Sequence, residues 1–207
     1  SPYMSTSAFA GSPLLIAPEL LYQEGYITRT ELDNHPQFSP YKTDFEAVRR
    51  YKNFLLRQAY KRFNPDANPD YASFLRNTGW LDEYAVFMTL KEIFNNTGWF
   101  SWPQEIAGRD ALCLQEIIRK HIETINYFRF EQFEFFRQWQ LFHRYARAQN
   151  IFLIGDLPIY VGYDSVDVWA HQQLFTLDRQ TLRPTKVSGV PPDYFSKTGQ
   201  RWGNPLY

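Results

Sequence analysis

The stretch 189–207, GVPPDYFSKTGQRWGNPLY, gathers an acid (Asp193), amides (Gln200, Asn204) and aromatic rings (Tyr194, Phe195, Trp202, Tyr207) into a segment punctuated by Pro and Gly. Pro removes a backbone donor, so this spacing predicts neither a helix nor a central strand. It predicts an exposed ligand-contacting loop. Flat rings can cover the apolar face of a ligand while amides and carboxylates hydrogen-bond its polar rim. A second acid, Asp156, follows the apolar run IFLIG at 151–155. A buried strand ending in an acid and then an aromatic loop is how a parallel α/β enzyme builds the mouth of its site.

Other acids invite simpler readings. Asp164 and Asp167, three apart in DSVDVW, each read as a helix cap or a first-turn acid. The histidines His35, His121, His143 and His171 are scattered without HExxH spacing, and there is no Cys cluster, so no metal ligand set is expected. His171 reads as a helix-surface residue. Cys113, the single cysteine, sits in ALCLQEII and is expected to be a buried helical thiol. Neither a GxSxG elbow nor a glycine-rich phosphate loop occurs, and no nucleotide cofactor is implied.

The elements that must position these residues are mostly helical. Residues 41–149 read as a helical block. Ile125, Phe128, Gln132, Phe135, Trp139, Phe142 and Ala146 advance in steps of three and four, as one buried helical face requires. Gln132, the one polar member, is expected to be an amide satisfied between packed helices. Phe45, Val48, Leu55, Ala59 and Phe63 form a second such face, with Asp44 as its N-cap, and Asp110 is placed to cap a later helix. The two Asn-Pro pairs of NPDANPDY mark a turn region. Only IFLIG reads as a confident strand, with weaker candidates at 174–177 and 185–187. One strand does not make a sheet, and the chain begins at SPY without an initiator Met, so it is expected to be part of a larger domain.

Composition narrows the partners. Lys and Arg number 22 against 22 Asp and Glu, and without a basic run a nucleic-acid partner is not expected. No window approaches the roughly 18 apolar residues of a membrane helix.

Three motifs together carry a resemblance: SPYMSTSAFAGSPLLIAPELL, GDLPIYVGYDSVDVWAHQQLFTLD and VSGVPPDYFSKTGQRWGNPLY. In this order and separation the chain resembles the 4-α-glucanotransferases, the amylomaltases or disproportionating enzymes of glycoside hydrolase family 77, over essentially its whole length. Ser12 departs from the family's Asn, and the loop DRQTLRP is slightly longer than its usual turn. The resemblance implies an α/β fold, a fragment of a (β/α)8 barrel with a helical insertion, incomplete at both ends. Residues 1–40 would form an active-site loop region, 41–149 the helical block, and 150–207 a barrel strand followed by an aromatic substrate-binding loop. It implies retaining transfer of α-1,4-glucan segments, with maltooligosaccharides as partners, no cofactor, and a cytoplasmic or plastid location. It assigns substrate contacts to Tyr3, Asp156, Asp193, Tyr194, Phe195, Gln200 and Trp202, with Ser1 and Ser196 as weaker candidates. It places the nucleophilic Asp and the acid/base Glu after Tyr207, so the stretch alone is expected to be inactive. An α-amylase-like hydrolase and a non-catalytic glucan-binding chain are the alternatives.

Overall fold

The computed structural model describes residues 4–207. In chain order its helices are α1 (Pro18–Gln23), α2 (Arg29–Asp33), α3 (Phe45–Arg62), α4 (Pro69–Asn77), α5 (Leu81–Ile93), α6 (Gln104–Ala107), α7 (Ala111–Lys120), α8 (Ile122–Ala148) and α9 (Val166–Ala170), followed by strands β1 (Val187–Val190) and β2 (Gln200–Pro205). The chain divides into two compact units. One comprises Gly11–Leu81 and Asn126–Ile154; the other comprises the described residues up to Ala10, Asp82–Ile125 and Gly155–Tyr207.

Helix starts follow the expected chemistry. Asp44 Oδ1 accepts from Ala47 N at 3.0 Å and Asp110 Oδ1 from Cys113 N at 2.9 Å, each satisfying an otherwise orphaned first-turn donor. In the Asn-Pro region, Asn68 Oδ1 accepts from Tyr71 N at 2.9 Å, and Pro69 opens α4 where its missing N–H costs nothing. Helices α1 and α2 lie within residues 1–40, expected from the resemblance to be a loop region. Thr28 and Glu31 form a reciprocal capping box on α2. Arg62, at the end of α3, grips both Glu31 oxygens at 2.9 Å.

The first unit is built around aromatic rings. Phe63 meets Phe130 at 4.8 Å and Tyr71 at 5.0 Å, Tyr71 meets Phe133 at 5.2 Å, and Leu55, Leu56 and Ala59 of α3 are fully buried. The predicted α8 face holds at Ile125, Phe128, Gln132 and Ala146, which are buried, but Trp139 and Phe142 are exposed. On α3, likewise, Phe45 is exposed. Periodicity identifies a face, whereas burial depends on whether another element covers each turn.

Gln132 is satisfied, although its partner is backbone and not a helix. Its Oε1 accepts from Gly11 N at 2.8 Å and its Nε2 donates to Gly11 O at 3.0 Å. Gln138 repeats the device with Ala17, at 2.7 and 3.4 Å. Lys52 Nζ adds donation to Leu14 O and Ile16 O at 2.5 and 2.8 Å. Together these side chains pin residues 11–17, which carry no strand pairing of their own.

Buried Glu134 is matched by Arg137, whose Nη2 lies 2.9 Å from Oε2 and whose Nη1 lies 2.9 Å from Glu24. Burial still pushes the Glu134 carboxyl above its ordinary value.

The sheet departs from expectation. Among the described residues it is one antiparallel hairpin, β1 with β2. The apolar run 151–155 has no regular secondary structure and is exposed, with Phe152 at 82% and Ile154 at 97%. A strand requires neighbouring backbone to take its hydrogen bonds, and no described segment pairs with this run. Of the weaker strand candidates, Leu177 forms an isolated bridge with Pro184, and Val187 opens β1. Cys113 is half-buried, not buried, because α7 contributes no fully covered residue.

Replacing Gln132 with Leu should leave the Gly11 N–H and C=O unpaired. The expected loss is about 2 kcal/mol in urea unfolding, from two unsatisfied, partly buried groups; a loss no larger than that of an exposed-site control would refute the clamp. For Glu31, the Arg62 pair lowers the carboxyl from 4.5 to about 2. Its folded value is depressed, so its contribution is present above pH 4.5 and is lost as pH falls through about 2. Glu31→Gln should flatten the acid limb of a stability-against-pH curve, and an unchanged slope there would contradict the assignment.

Candidate functional site

The hairpin supplies the site's frame. Val190 pairs with Gln200 and Gly189 with Arg201, while an irregularity between Val187 and Gly189 shifts the register. A Cβ on Gly189 would lie 2.6 Å from Gln200 O, so only glycine permits this approach of the strands. Gly199 closes the loop at φ +77°, a left-handed conformation that glycine adopts without strain.

Asp193 organises the loop between the strands. Its Oδ1 accepts from Phe195 N at 2.9 Å and Ser196 N at 2.7 Å, an Asx-turn that fixes the two rings following it. Ser196 Oγ donates to Gly199 O at 2.6 Å, so Ser196 is a turn-former. Tyr194 and Phe195 stand edge to face at 5.7 Å and are 97% and 88% exposed. Rings of this size left almost wholly in water, on a loop that holds its own backbone in place, form a surface available to a partner.

Trp202 lies on β2, half-exposed, with its edge toward Tyr160 at 6.1 Å. Its Nε1 donates to Gln200 Oε1 at 3.3 Å. That bond orients the Gln200 amide and leaves its Nε2 available as a donor. Asp156 is exposed on the irregular segment after 151–155. The end of that segment is tied to the hairpin region: Tyr207 Oη donates to Ile159 O at 3.3 Å and Asn204 Nδ2 to Val161 O at 2.8 Å. Of the residues proposed from sequence, Asp193, Tyr194, Phe195, Gln200 and Trp202 therefore share one hairpin, and Asp156 lies on an adjoining segment. Tyr3 and Ser1 fall outside the described residues.

Sequence reasoning missed two supports. Asn204, buried within WGNPLY, also accepts from Ser188 Oγ at 3.4 Å and sits 3.7 Å from Met4 Sδ. In sequence it is one of the amides of the expected ligand-contacting segment, and the register of β2 turns it inward instead. The second is the GYDSVDVWA motif. Lys91, with its side chain 6% exposed, donates to Asp164 Oδ2 at 2.7 Å, Thr97 O at 2.9 Å and Asn96 O at 3.1 Å. These carbonyls belong to a turn whose Asn95 and Asn96 have φ of 50° and 60°. Trp99 answers by donating its N to Asp164 Oδ1 at 3.2 Å and its Nε1 to Tyr163 O at 2.7 Å.

Asp164 is thus an ion-pair anchor and not a helix cap; Ser165 caps α9. Asp167 does sit in the first turn of α9, but its Oδ2 also accepts from Ala8 N at 2.9 Å, tying the amino-terminal segment to the motif. Burial raises the Asp167 carboxyl above its ordinary value. Tyr163 stacks on Phe100 at 4.5 Å and donates to Leu182 O at 2.8 Å, and burial pushes its phenol up to about 12. His171 is exposed at the end of α9, as expected. Among the described residues no group of three His, Cys, Asp or Glu side chains could hold a metal ion, and no helix is long and apolar enough to cross a membrane.

Comparison with known proteins supplies the class. The family model described as 4-alpha-glucanotransferase, glycoside hydrolase family 77, matches residues 1–207, and the chain belongs to this family. Among its relatives, the 4-alpha-glucanotransferase of Thermus thermophilus is 42% identical and that of Synechocystis 41%, each over the whole of this chain and 41% and 42% of their own lengths. The chloroplastic/amyloplastic enzyme of Arabidopsis thaliana is 39% identical over the whole chain and 36% of its own length. The solved structure titled amylomaltase from Streptococcus agalactiae in complex with acarbose superposes with a TM-score of 0.94 at 37% identity, covering all of this chain and 42% of that one. The chain therefore spans about two fifths of the length of the bacterial relatives it matches.

Removing the Asp164 carboxylate strands a buried ammonium. Asp164→Ala should destabilise the protein by about 3 kcal/mol, and Asp164→Asn by less, since the amide keeps an acceptor. Equal melting curves for wild type and Asp164→Ala would show that the pair holds nothing together.

Proposed function

We propose that this chain is the substrate-gripping portion of a 4-α-glucanotransferase, which moves a segment of one α-1,4-glucan to the 4-hydroxyl of another glucan or of glucose. The observation that carries this reading is the hairpin with Asp193, Tyr194, Phe195, Gln200 and Trp202 together on its loop and strand, in a chain that belongs to this family along its whole length. Sugar rings offer apolar C–H faces to Tyr194, Phe195 and Trp202, and hydroxyls to the carboxylates and to the Gln200 amide. Tyr3 and Asp156 complete the proposed contact set. The complex of the Streptococcus agalactiae amylomaltase with acarbose supports this ligand class.

In the proposed reaction a carboxylate attacks the anomeric carbon while a second carboxyl group protonates the departing glycosidic oxygen. The two groups stand about 5 to 5.5 Å apart. The acceptor's 4-hydroxyl then displaces the enzyme carboxylate, returning its proton to the second group, and the configuration is retained. Neither Asp156 nor Asp193 is assigned these roles; the nucleophile and acid/base are proposed to lie on polypeptide following Tyr207. On this reading the run 151–155 is a strand of a (β/α)8 barrel, residues 1–40 an active-site loop region and 41–149 a helical insertion. The enzyme would work in the cytoplasm or in a plastid. The aromatic segment 189–203 would close over the bound donor, exclude water and so favour transfer over hydrolysis.

The test is product distribution from maltotriose with the full-length enzyme. Transfer yields glucose together with longer maltooligosaccharides, whereas an amylase-like hydrolase yields only shorter products and a binding protein yields none. Phe195→Ala or Trp202→Ala should raise the ratio of hydrolysis to transfer, and an unchanged ratio in both variants would remove the water-excluding role from the loop.

A further inference from the structure

A cleft of about 640 Å³ opens in the unit that contains α3, α4 and most of α8, lined by residues of α4, the turn before α5, and α8. Its volume lies within the roughly 300–1,000 Å³ of small-molecule sites. None of the hairpin residues contributes to it. Phe74, Trp80 and Phe136 supply aromatic surface: Phe136 lies 5.8 Å from both other rings, tilted by 36° against Phe74 and by 53° against Trp80. Asp70, Gln140 and Arg144 add polar groups to the lining and are exposed. Among the described residues none of these three has a hydrogen-bonding or ion-pairing partner, and the neighbouring Arg137 is already engaged by Glu134 and Glu24.

The chemistry of the lining selects a ligand. A purely apolar ligand would strand an amide, a carboxylate and a guanidinium at its edge. An anion would be drawn to Arg144 but repelled by Asp70, and a cation would meet the reverse. A neutral ligand with flat C–H faces and a ring of hydroxyls satisfies all of them, because each hydroxyl both donates and accepts.

We propose that this cleft is a second glucan-binding site, holding part of a long α-1,4-glucan on Phe74, Trp80 and Phe136 with Asp70, Gln140 and Arg144 at its hydroxyls. This rests on the reading of the protein as glucan-acting. Its role is to retain polymeric substrate, so its effect scales with chain length.

The experiment carries Trp80→Ala, and separately the surface double substitution Gln140→Ala with Arg144→Ala, in the full-length enzyme. Each should raise KM for amylose, by about tenfold for Trp80→Ala on the scale of one lost aromatic anchor, and leave kcat/KM for maltotriose unchanged. The double variant keeps the aromatic packing and so decides the matter if Trp80→Ala unfolds. An amylose KM equal to wild type in the double variant, or an equal loss on amylose and maltotriose, overturns the proposal. Retardation in amylose-containing native gels reads the cleft without turnover. Weaker retardation of the double variant than of wild type supports the site even if no transfer is found, and equal retardation removes it.

Discussion

The unit that carries the hairpin depends on the buried ammonium of Lys91. Three donors leave water at that point, and each finds an oxygen: Asp164 Oδ2, Asn96 O and Thr97 O. A charge held away from solvent is tolerated only when every N–H is matched, so the turn at 95–97 and the position of Asp164 are fixed together. Asp164 in turn accepts from Trp99 N, and Tyr163 O accepts from the Trp99 indole. The rings of Trp99, Phe87, Trp102 and Trp169 are buried in the same unit; Phe87 lies 5.4 Å from Trp102 and 5.7 Å from Trp169. From the same motif Asp167 holds Ala8, Tyr163 holds Leu182, and the Val161 carbonyl receives Asn204 from β2. The aromatic hairpin therefore hangs from a rigid support, which is what allows its own exposed loop to be nearly free of packing.

The other unit solves a related problem by different means. Residues 11–17 run without a strand partner, and their backbone groups would be unsatisfied against a packed helix. Amides six residues apart on α8, Gln132 and Gln138, meet Gly11 and Ala17, which are also six apart. A carboxamide offers one donor and one acceptor side by side, the same pair a neighbouring strand would present. That is the physical reason for polar side chains in the middle of an aromatic helix. Leu at either position would fill the space but supply neither bond.

Much of this was legible from the chain. The helices declare themselves through caps at Asp44 and Asp110 and through apolar spacing, because capping and helical period are local properties. The acid, amide and rings of 189–207 were recognisable as an exposed segment, since Pro and Gly punctuation keeps such a stretch out of helices and central strands, and Tyr194 and Phe195 do stand in solvent. The pairing of that segment into β1 and β2 was not legible. Strand register depends on the partner, and the bulge near Ser188 hides the alternation that would have revealed it. Asp164 was misread for a similar reason. In sequence it stands three residues before an acid and near a helix start, whereas its true partner, Lys91, is remote along the chain and is brought to it only by folding.

On the proposed reading, the run 151–155 would be an element encoded by one part of a polypeptide and completed by another. Its residues are apolar on both faces, a pattern that suits a strand covered on each side and suits an edge or a surface poorly. Here Phe152 and Ile154 are almost bare, as are Leu157 and Ile159 beyond them, and the backbone takes no sheet pairing. Apolar area of this extent in water is unfavourable by about 25 cal/mol for each Å² left uncovered, so the pattern makes sense only with neighbours on both sides. The proposed barrel would provide them: strands flanking 151–155 would take its N–H and C=O groups and bring Asp156 to the carboxyl end of a strand, where such folds do their chemistry. On that account the exposed apolar run and the exposed aromatic hairpin have opposite origins. On the proposed reading the first would be covered by protein and the second by sugar.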